Sequence, residues 1–168
     1  DLEAAYFSAR LANERQRIVS LMMEGERVCD MFAGVGPFAI ALGEKAFIVM
    51  AGDINPGAVL LMEENVRINH RHTVIPMLAD ALHLGNILPA GSFDRIIMNL
   101  PMSPVPFFAT AVTLVRPGGT IHLYAMQESA GEYREMIEAY PCTIAEEREV
   151  RSYSPTQHHA VYDIVRNG

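Results

Sequence analysis

Of the 13 basic residues in this 168-residue chain only Lys45 is a lysine, and against 20 Asp and Glu the formal net charge is −7. A broad, non-specific nucleic-acid surface would be basic. The charge balance excludes that class and leaves room for a structured RNA gripped by a few arginines. Cysteine is scarce too: Cys29 and Cys142 form neither a C-x-x-C pair nor a zinc spacing, and a single disulfide between them stays open. Cys29 falls in an apolar strand pattern and reads as a small buried residue. No run approaches the roughly 20 apolar residues of a membrane helix; the stretch 46–51 ends at Gly52-Asp53 and reads as a buried strand. No signal peptide, repeat or low-complexity tract is visible. The chain opens on Asp1, so the expectation is a fragment or processed product of a longer protein.

What is present suits one domain. Half the residues are apolar, enough for a core. Helical spacing marks residues 13–23, with Gly25 after them. A strand follows at 27–31, a turn at Gly34–Gly36, and a helix opened by Pro37 at 37–42. Further strands are expected at 47–53, 73–79, 93–98, 120–125, 143–153 and 159–165. Helices are expected at 56–69, within 104–114 and at 130–139, a loop at 81–92, and a turn at 117–119. Alternation of this kind predicts an α/β fold, a mainly parallel sheet with helices on both faces. Such sheets bind ligands at the carboxyl ends of their strands. Asp30, Gly34, Asp53, Asp80 and Asn99 each close an expected strand or follow one closely.

The segment Asp30-Met-Phe-Ala-Gly34-Val-Gly36-Pro lets the backbone turn tightly and approach a ligand. Gly34-x-Gly36-x-x-Ala39 also fits a dinucleotide fingerprint, with Asp53 where a ribose-binding acid would stand. Two features tilt the reading toward S-adenosylmethionine, with S-adenosylhomocysteine as product. Asp30 lies four residues ahead of the first glycine, where a carboxylate would suit the amino-acid part of that cofactor and repel a pyrophosphate. Asp80, in Ala79-Asp80-Ala81, is placed to accept from the adenine amine. Asp53 can take both ribose hydroxyls, and Ile54 can pack on the adenine. One acid per strand end is more specific than either motif alone.

Asn99-Leu100-Pro101 ends the fourth strand. A flat base carries N–H donors on its edge, and an Asn side-chain oxygen beside a proline-fixed carbonyl can receive them.

Five segments together resemble a known family: Tyr6-Phe-Ser-Ala-Arg10-Leu-Ala-Asn-Glu14-Arg, Asp30 to Pro37, Asp53-Ile-Asn-Pro56, Met98-Asn-Leu-Pro101 and Arg151-Ser-Tyr-Ser-Pro155. They look like the archaeal and eukaryotic-type tRNA (guanine-N1)-methyltransferase, which acts on the guanosine at tRNA position 37. The resemblance implies a class I, Rossmann-like methyltransferase that is cytoplasmic and monomeric, with the tRNA anticodon stem-loop as partner and no metal. It implies Glu14 as general base, Arg10 near cofactor and target base, Tyr6 beside the substrate and Asn99 holding the guanine. Phe32, Asp53, Ile54, Asp80 and Ala81 would line the cofactor pocket. Arg10, Asp30, Gly34, Gly36, Asn99, Leu100 and Pro101 complete the expected cofactor contacts. Ala9 departs from the family, which usually has proline there. The expectation is that residues 1–168 form the catalytic domain, and that an N-terminal tRNA-recognition domain and an upstream arginine lie outside them.

Without the resemblance, Glu14 would read as a solvated helix acid paired with Arg10 or Arg17. Three rivals remain. Wyosine-pathway relatives transfer the aminocarboxypropyl group instead of the methyl, though Asn99-Leu100-Pro101 favours methyl transfer. An NAD-dependent oxidoreductase would share the glycine turn, and a cofactor-free RNA-binding module would share the fold. A wyosine intermediate is a possible second substrate. Arg148, Arg151 and Tyr153 could meet RNA or simply form an edge strand. His70-Arg71-His72 reads as a solvated turn, and His158-His159 as the start of the last strand.

Overall fold

In a computed structural model, which describes residues 2–100 and 102–168 and side chains from residue 10 onward, seven strands form one sheet in the order β3-β2-β1-β4-β5-β7-β6. The strands are β1 (Arg27–Asp30), β2 (Ile48–Asp53), β3 (Val74–Leu78), β4 (Phe93–Asn99), β5 (Val115–Gln127), β6 (Cys142–Ser154) and β7 (Gln157–Arg166). β1 to β5 run parallel, and β7 is antiparallel to both β5 and β6. The helices are α1 (Leu2–Leu21), α2 (Pro37–Leu42), α3 (Pro56–Ile68), α4 (Val105–Leu114) and α5 (Arg134–Glu138). The order reverses between β1 and β4, so the chain's two halves part there and leave a crevice at the strand ends.

Strand alternation sends neighbouring residues to opposite faces, and the core divides accordingly. Cys29, Ile96, Met98, Ile121 and Leu123 meet Phe108, Ala111 and Leu114 of α4 and Ile137 of α5. Val28, Val49, Ile97 and Tyr124 meet Leu11 and Ile18 of α1, Phe38 and Leu42 of α2, and Met62 of α3. Helices therefore cover both faces, as expected. No described helix is long and apolar enough to cross a membrane.

Four local expectations need correction. The first helix ends at Leu21, short of residue 23, and begins at Leu2 instead of residue 13. Its buried stripe is Leu11, Glu14 and Ile18, continued by Met22 just past its end, and the acid in the stripe disguises the helical period. The segment expected as a loop from residue 81 opens with a 3-10 helix, Ala81–Asn86, capped by Asp80. The turn at 117–119 lies inside β5, where pairing with β4 slips between Phe93↔Val115 and Arg95↔Thr120. The extra residues are absorbed as a bulge at Gly118, φ 81°. Finally, the helix expected at 130–139 covers only Arg134–Glu138, because Gly131 takes φ 76° and donates its N–H to Glu147.

Gly36 caps α2 with φ 94°, and a Cβ there would stand 2.8 Å from Cγ of the buried Met62. Gly36→Ala combines left-handed backbone strain with overpacking. It should cost about 1–3 kcal/mol, read as a lower urea midpoint with unchanged slope.

Candidate active site

The strand ends of β1, β2, β3 and β4 enclose a cavity of about 350 Å³. Phe32, Gly34, Asp53, Ile54, Asp80, Ala81 and Asn99 line it, all of them marked by the sequence. Met31, Ala79, Met102 and Phe107 complete the wall. Phe107, which like Met102 carries no local sequence signal, meets Phe32 edge to face at 5.0 Å between ring centres. The walls are apolar and two acids converge on them, which suits a flat heterocycle carrying a polyhydroxyl sugar.

Each acid is held by backbone. Gly34 (φ 58°) donates its N–H to Oδ2 of Asp53 at 2.9 Å, and Asn55 donates to Oδ1 at 2.9 Å. Both oxygens keep a lone pair for ligand hydroxyls. Oδ1 of Asp80 accepts the Leu82 N–H at 3.0 Å as the 3-10 helix cap, leaving the other oxygen available.

Asp30 ends β1 one residue before the wall and is itself 1% exposed. Neither of its oxygens completes a hydrogen bond. Burial pushes its carboxyl up to about 7, and the Asp53 charge adds to that, while the Phe32 and Ala39 amides ease it without closing a bond. A buried acid lacking donors calls for a cationic ligand group or water beside it. That is the donor set expected under the amino-acid part of S-adenosylmethionine, so the residues present fit this cofactor.

Glu14 is not in the cavity wall and not in solvent. It is 4% exposed, so the reading of a solvated helix acid fails. Its Oε1 accepts from Tyr124 Oη at 2.9 Å and Arg17 Nε at 3.1 Å, and its Oε2 from Arg148 at 2.8 Å. Burial pushes its carboxyl up, but the hydrogen bonds of Arg148 and Tyr124 and the two guanidinium charges prevail and hold it below the usual range. Asn99 and Tyr124 are register partners across β4 and β5. Asn99 falls on the face of Ile97, which shares a cluster with Tyr124 and α1. The buried carboxylate and the cavity wall are thus bridged by one pair of neighbouring residues.

Of the remaining expected residues, Arg10 lies exposed on α1, one turn before Glu14. Gly36 shapes the turn behind the wall, and Leu100 is buried in the core on the α4 face. The side chain of Tyr6 and all of Pro101 lie outside the described residues. Among the described residues no His, Cys, Asp and Glu group could hold a metal, and both cysteines are free. His158 pairs with Glu149 at 2.7 Å. Tyr124, as a partner of Glu14, carried no sequence signal; His159, expected only as a strand residue, is buried to 2% exposure with its imidazole pushed down to about 4 by burial.

Residues 1–151 match the TRM5/TYW2 methyltransferase domain family. The chain belongs to that family. A member from Pyrococcus abyssi, the tRNA (guanine(37)-N(1))-methyltransferase Trm5b, is 38% identical over 97% of this chain and 51% of its own length. The tRNA 4-demethylwyosine(37)-methyltransferase Taw21 of Saccharolobus solfataricus is 34% identical over 99% of this chain and 64% of its own. The crystal structure of Methanocaldococcus jannaschii Trm5 in complex with adenosine superimposes with a TM-score of 0.85 at 35% identity, covering 95% of this chain and 49% of that one. This chain spans about half the length of the curated Trm5b relatives it matches. TRM5/TYW2 membership does not favour the dinucleotide reading, and it agrees with the Rossmann-like methyltransferase fold expected from the sequence.

Proposed function

We propose that residues 1–168 are the catalytic domain of a tRNA methyltransferase acting on N1 of the guanosine at position 37, with the anticodon stem-loop as target and a cytoplasmic monomer as the working form. The observation that carries this reading is a buried carboxylate, Glu14, bonded to Tyr124, the register partner of Asn99 at the wall of a strand-end cavity whose lining suits an adenosine. When bound, S-adenosylmethionine supplies a methyl group on a sulfonium and leaves as neutral S-adenosylhomocysteine.

Asp53 holds the ribose hydroxyls, Asp80 the adenine amine, and Phe32, Ile54 and Phe107 enclose the ring. Asp30 takes the ammonium end and is neutralised by it. Gly34 and Gly36 keep the turn open, and Leu100 seats Asn99 by anchoring the residue after it in the core. Asn99 accepts from the edge of the guanine, with Pro101 and Tyr6 completing the base site and Arg10 beside it. Neutral guanine carries a proton on N1, so its lone pair is not free. Glu14 removes that proton as N1 takes the methyl carbon. The proton ends on Glu14, the N1 electron pair forms the new bond, and the carbon–sulfur pair returns to sulfur.

The test uses the full-length protein, methyl-labelled S-adenosylmethionine and tRNA transcripts that differ only at position 37. Label should enter the guanosine transcript and not the adenosine one, whose N1 bears no proton. Equal labelling of both would overturn the assignment of the target atom. The likeness to Taw21 supports a second substrate, a 4-demethylwyosine nucleotide at the same position. A tRNA carrying it should then take up methyl label as well.

A further inference from the structure

The two arginines on Glu14 are held very differently. Arg17 sits three residues further along α1 and is anchored from behind: its two terminal nitrogens donate to Asp163 at 2.7 and 3.2 Å. Asp163 Oδ1 also meets His122 Nδ1 at 2.7 Å, and His122 Nε2 meets an Arg95 nitrogen at 2.7 Å. Arginine only donates, so Nε2 accepts and the His122 proton is on Nδ1, donated to Asp163. Arg95 is in turn paired with Glu26 at 2.8 Å. Arg17 is therefore tied through β7 and β5 to β4 by a largely buried chain.

Arg148 comes from β6, the outer strand of the sheet. Its side chain is 37% exposed and holds Glu14 by a single N–H, with a longer contact of 3.6 Å to Glu146. It lines a polar surface depression with Gln127, Arg134, Glu147 and His158. Further along β6, Arg151 stacks on Tyr153 at 4.7 Å.

This asymmetry meets a chemical requirement. A guanidinium bonded to a carboxylate oxygen opposes protonation there, even where that oxygen keeps a second lone pair. Oε1 of Glu14 is shared by Arg17 and Tyr124, so freeing it needs two partners to move, one of them anchored. Oε2 is covered by Arg148 alone. Guanidinium groups match phosphate oxygens with paired hydrogen bonds, and Arg148, part-exposed on the outer strand, is open to one.

We propose that Arg148 is an exchangeable cover on the base: an RNA phosphate draws its guanidinium off Glu14 Oε2, which then receives the guanine proton, while Arg17, fixed by Asp163, keeps the carboxylate in place. This rests on Glu14 being the base. The charged and titratable groups facing it are Arg17 on its own helix, Tyr124 from β5, Arg148 from β6 and His159 from β7, with Asp163 of β7 behind Arg17. Losing Arg148 removes one of the two cations that hold Glu14 low. Its acid limb should therefore sit higher in the RNA complex than in the free protein.

The experiment compares wild type, Arg148→Gln, Arg148→Lys and Glu14→Gln in the full-length protein with a tRNA transcript. It reads the pH dependence of kcat/KM and of the single-turnover rate at saturating tRNA. In wild type the acid limb of kcat/KM should lie below that of the bound complex. Arg148→Gln should bring the two limbs together, raise KM for tRNA about tenfold, equivalent to one charge-assisted bond, and lower the salt slope of kcat/KM by about one. Arg148→Lys should recover part of the KM and of the slope.

Limbs that stay apart in Arg148→Gln as in wild type would overturn the exchange. So would a loss of saturated rate in Arg148→Gln as deep as that of Glu14→Gln with no rescue by lysine, since Arg148 would then be a fixed partner. Retention of the wild-type rate by Glu14→Gln would instead overturn the base assignment itself, whatever Arg148 does.

Discussion

Glu14→Gln is expected to lower the saturated rate of methyl transfer by about 10²–10⁴-fold, the usual span for a positioned general base, while S-adenosylhomocysteine affinity stays within about twofold. The reason is geometric. Glutamine is nearly isosteric, and its carbonyl oxygen can still accept from Tyr124 and Arg17. Asp163 remains to hold Arg17, and the 37% exposed Arg148 turns to water. The fold should therefore lose only about 1–3 kcal/mol, the range for leaving a buried hydrogen-bonding group unsatisfied. Glu14 lies outside the adenosine cavity, so cofactor titration is an internal control for folding. The carboxyl is held below its usual range. Its contribution to stability is thus present above the unfolded pKa of about 4 and fades as pH falls through the native value. Glu14→Gln should narrow the difference from wild type under acid. A fall in cofactor affinity as large as the fall in rate would point to a structural role instead.

Asp30→Asn should act in the opposite direction on stability. With its carboxyl raised to about 7, the native protein binds this proton more tightly than the unfolded chain does. The sign follows: the contribution is favourable below the unfolded pKa of about 4 and is lost as pH rises through about 7. The full loss is on the order of 4 kcal/mol. An amide carries no charge to desolvate. Asp30→Asn should therefore raise the urea midpoint of the ligand-free protein at pH about 8 and change it little at pH about 5. It should also weaken S-adenosylmethionine binding, because the ammonium end loses its counter-charge. Stabilisation and loss of affinity in one variant would mark Asp30 as an acid kept in an unfavourable place for a ligand. Equal midpoint shifts at both pH values would contradict this.

Much of this was legible in the residues. Alternating apolar periods placed six of the seven strands to within a few residues, the strand ends marked Gly34, Asp53, Asp80 and Asn99 of the cavity wall, and the family resemblance added Phe32 and Ala81. Such signals are local: an acid or asparagine that closes a strand is visible from its neighbours. The misses were tertiary. Without the family resemblance Glu14 reads as solvated, because its partners Tyr124 and Arg148 lie 110 and 134 positions away, and an acid within a buried stripe reads as a polar interruption. The chain Arg17–Asp163–His122–Arg95–Glu26 joins α1 to three strand positions and the residue before β1, which share no motif. Phe107 reaches the cavity only because α4 packs against the 3-10 helix and β4. Gly118 and Gly131 marked real breaks in the backbone, but sheet pairing absorbed the first and a Glu147 contact the second.

The most direct measurement gives the full-length protein a tRNA transcript with guanosine at position 37 and S-adenosylmethionine labelled separately in its methyl and aminocarboxypropyl groups, then identifies the modified nucleoside after digestion. The account predicts methyl label in 1-methylguanosine and no aminocarboxypropyl label in the RNA. Aminocarboxypropyl label in the RNA, or no label at all despite measurable cofactor binding, would contradict it.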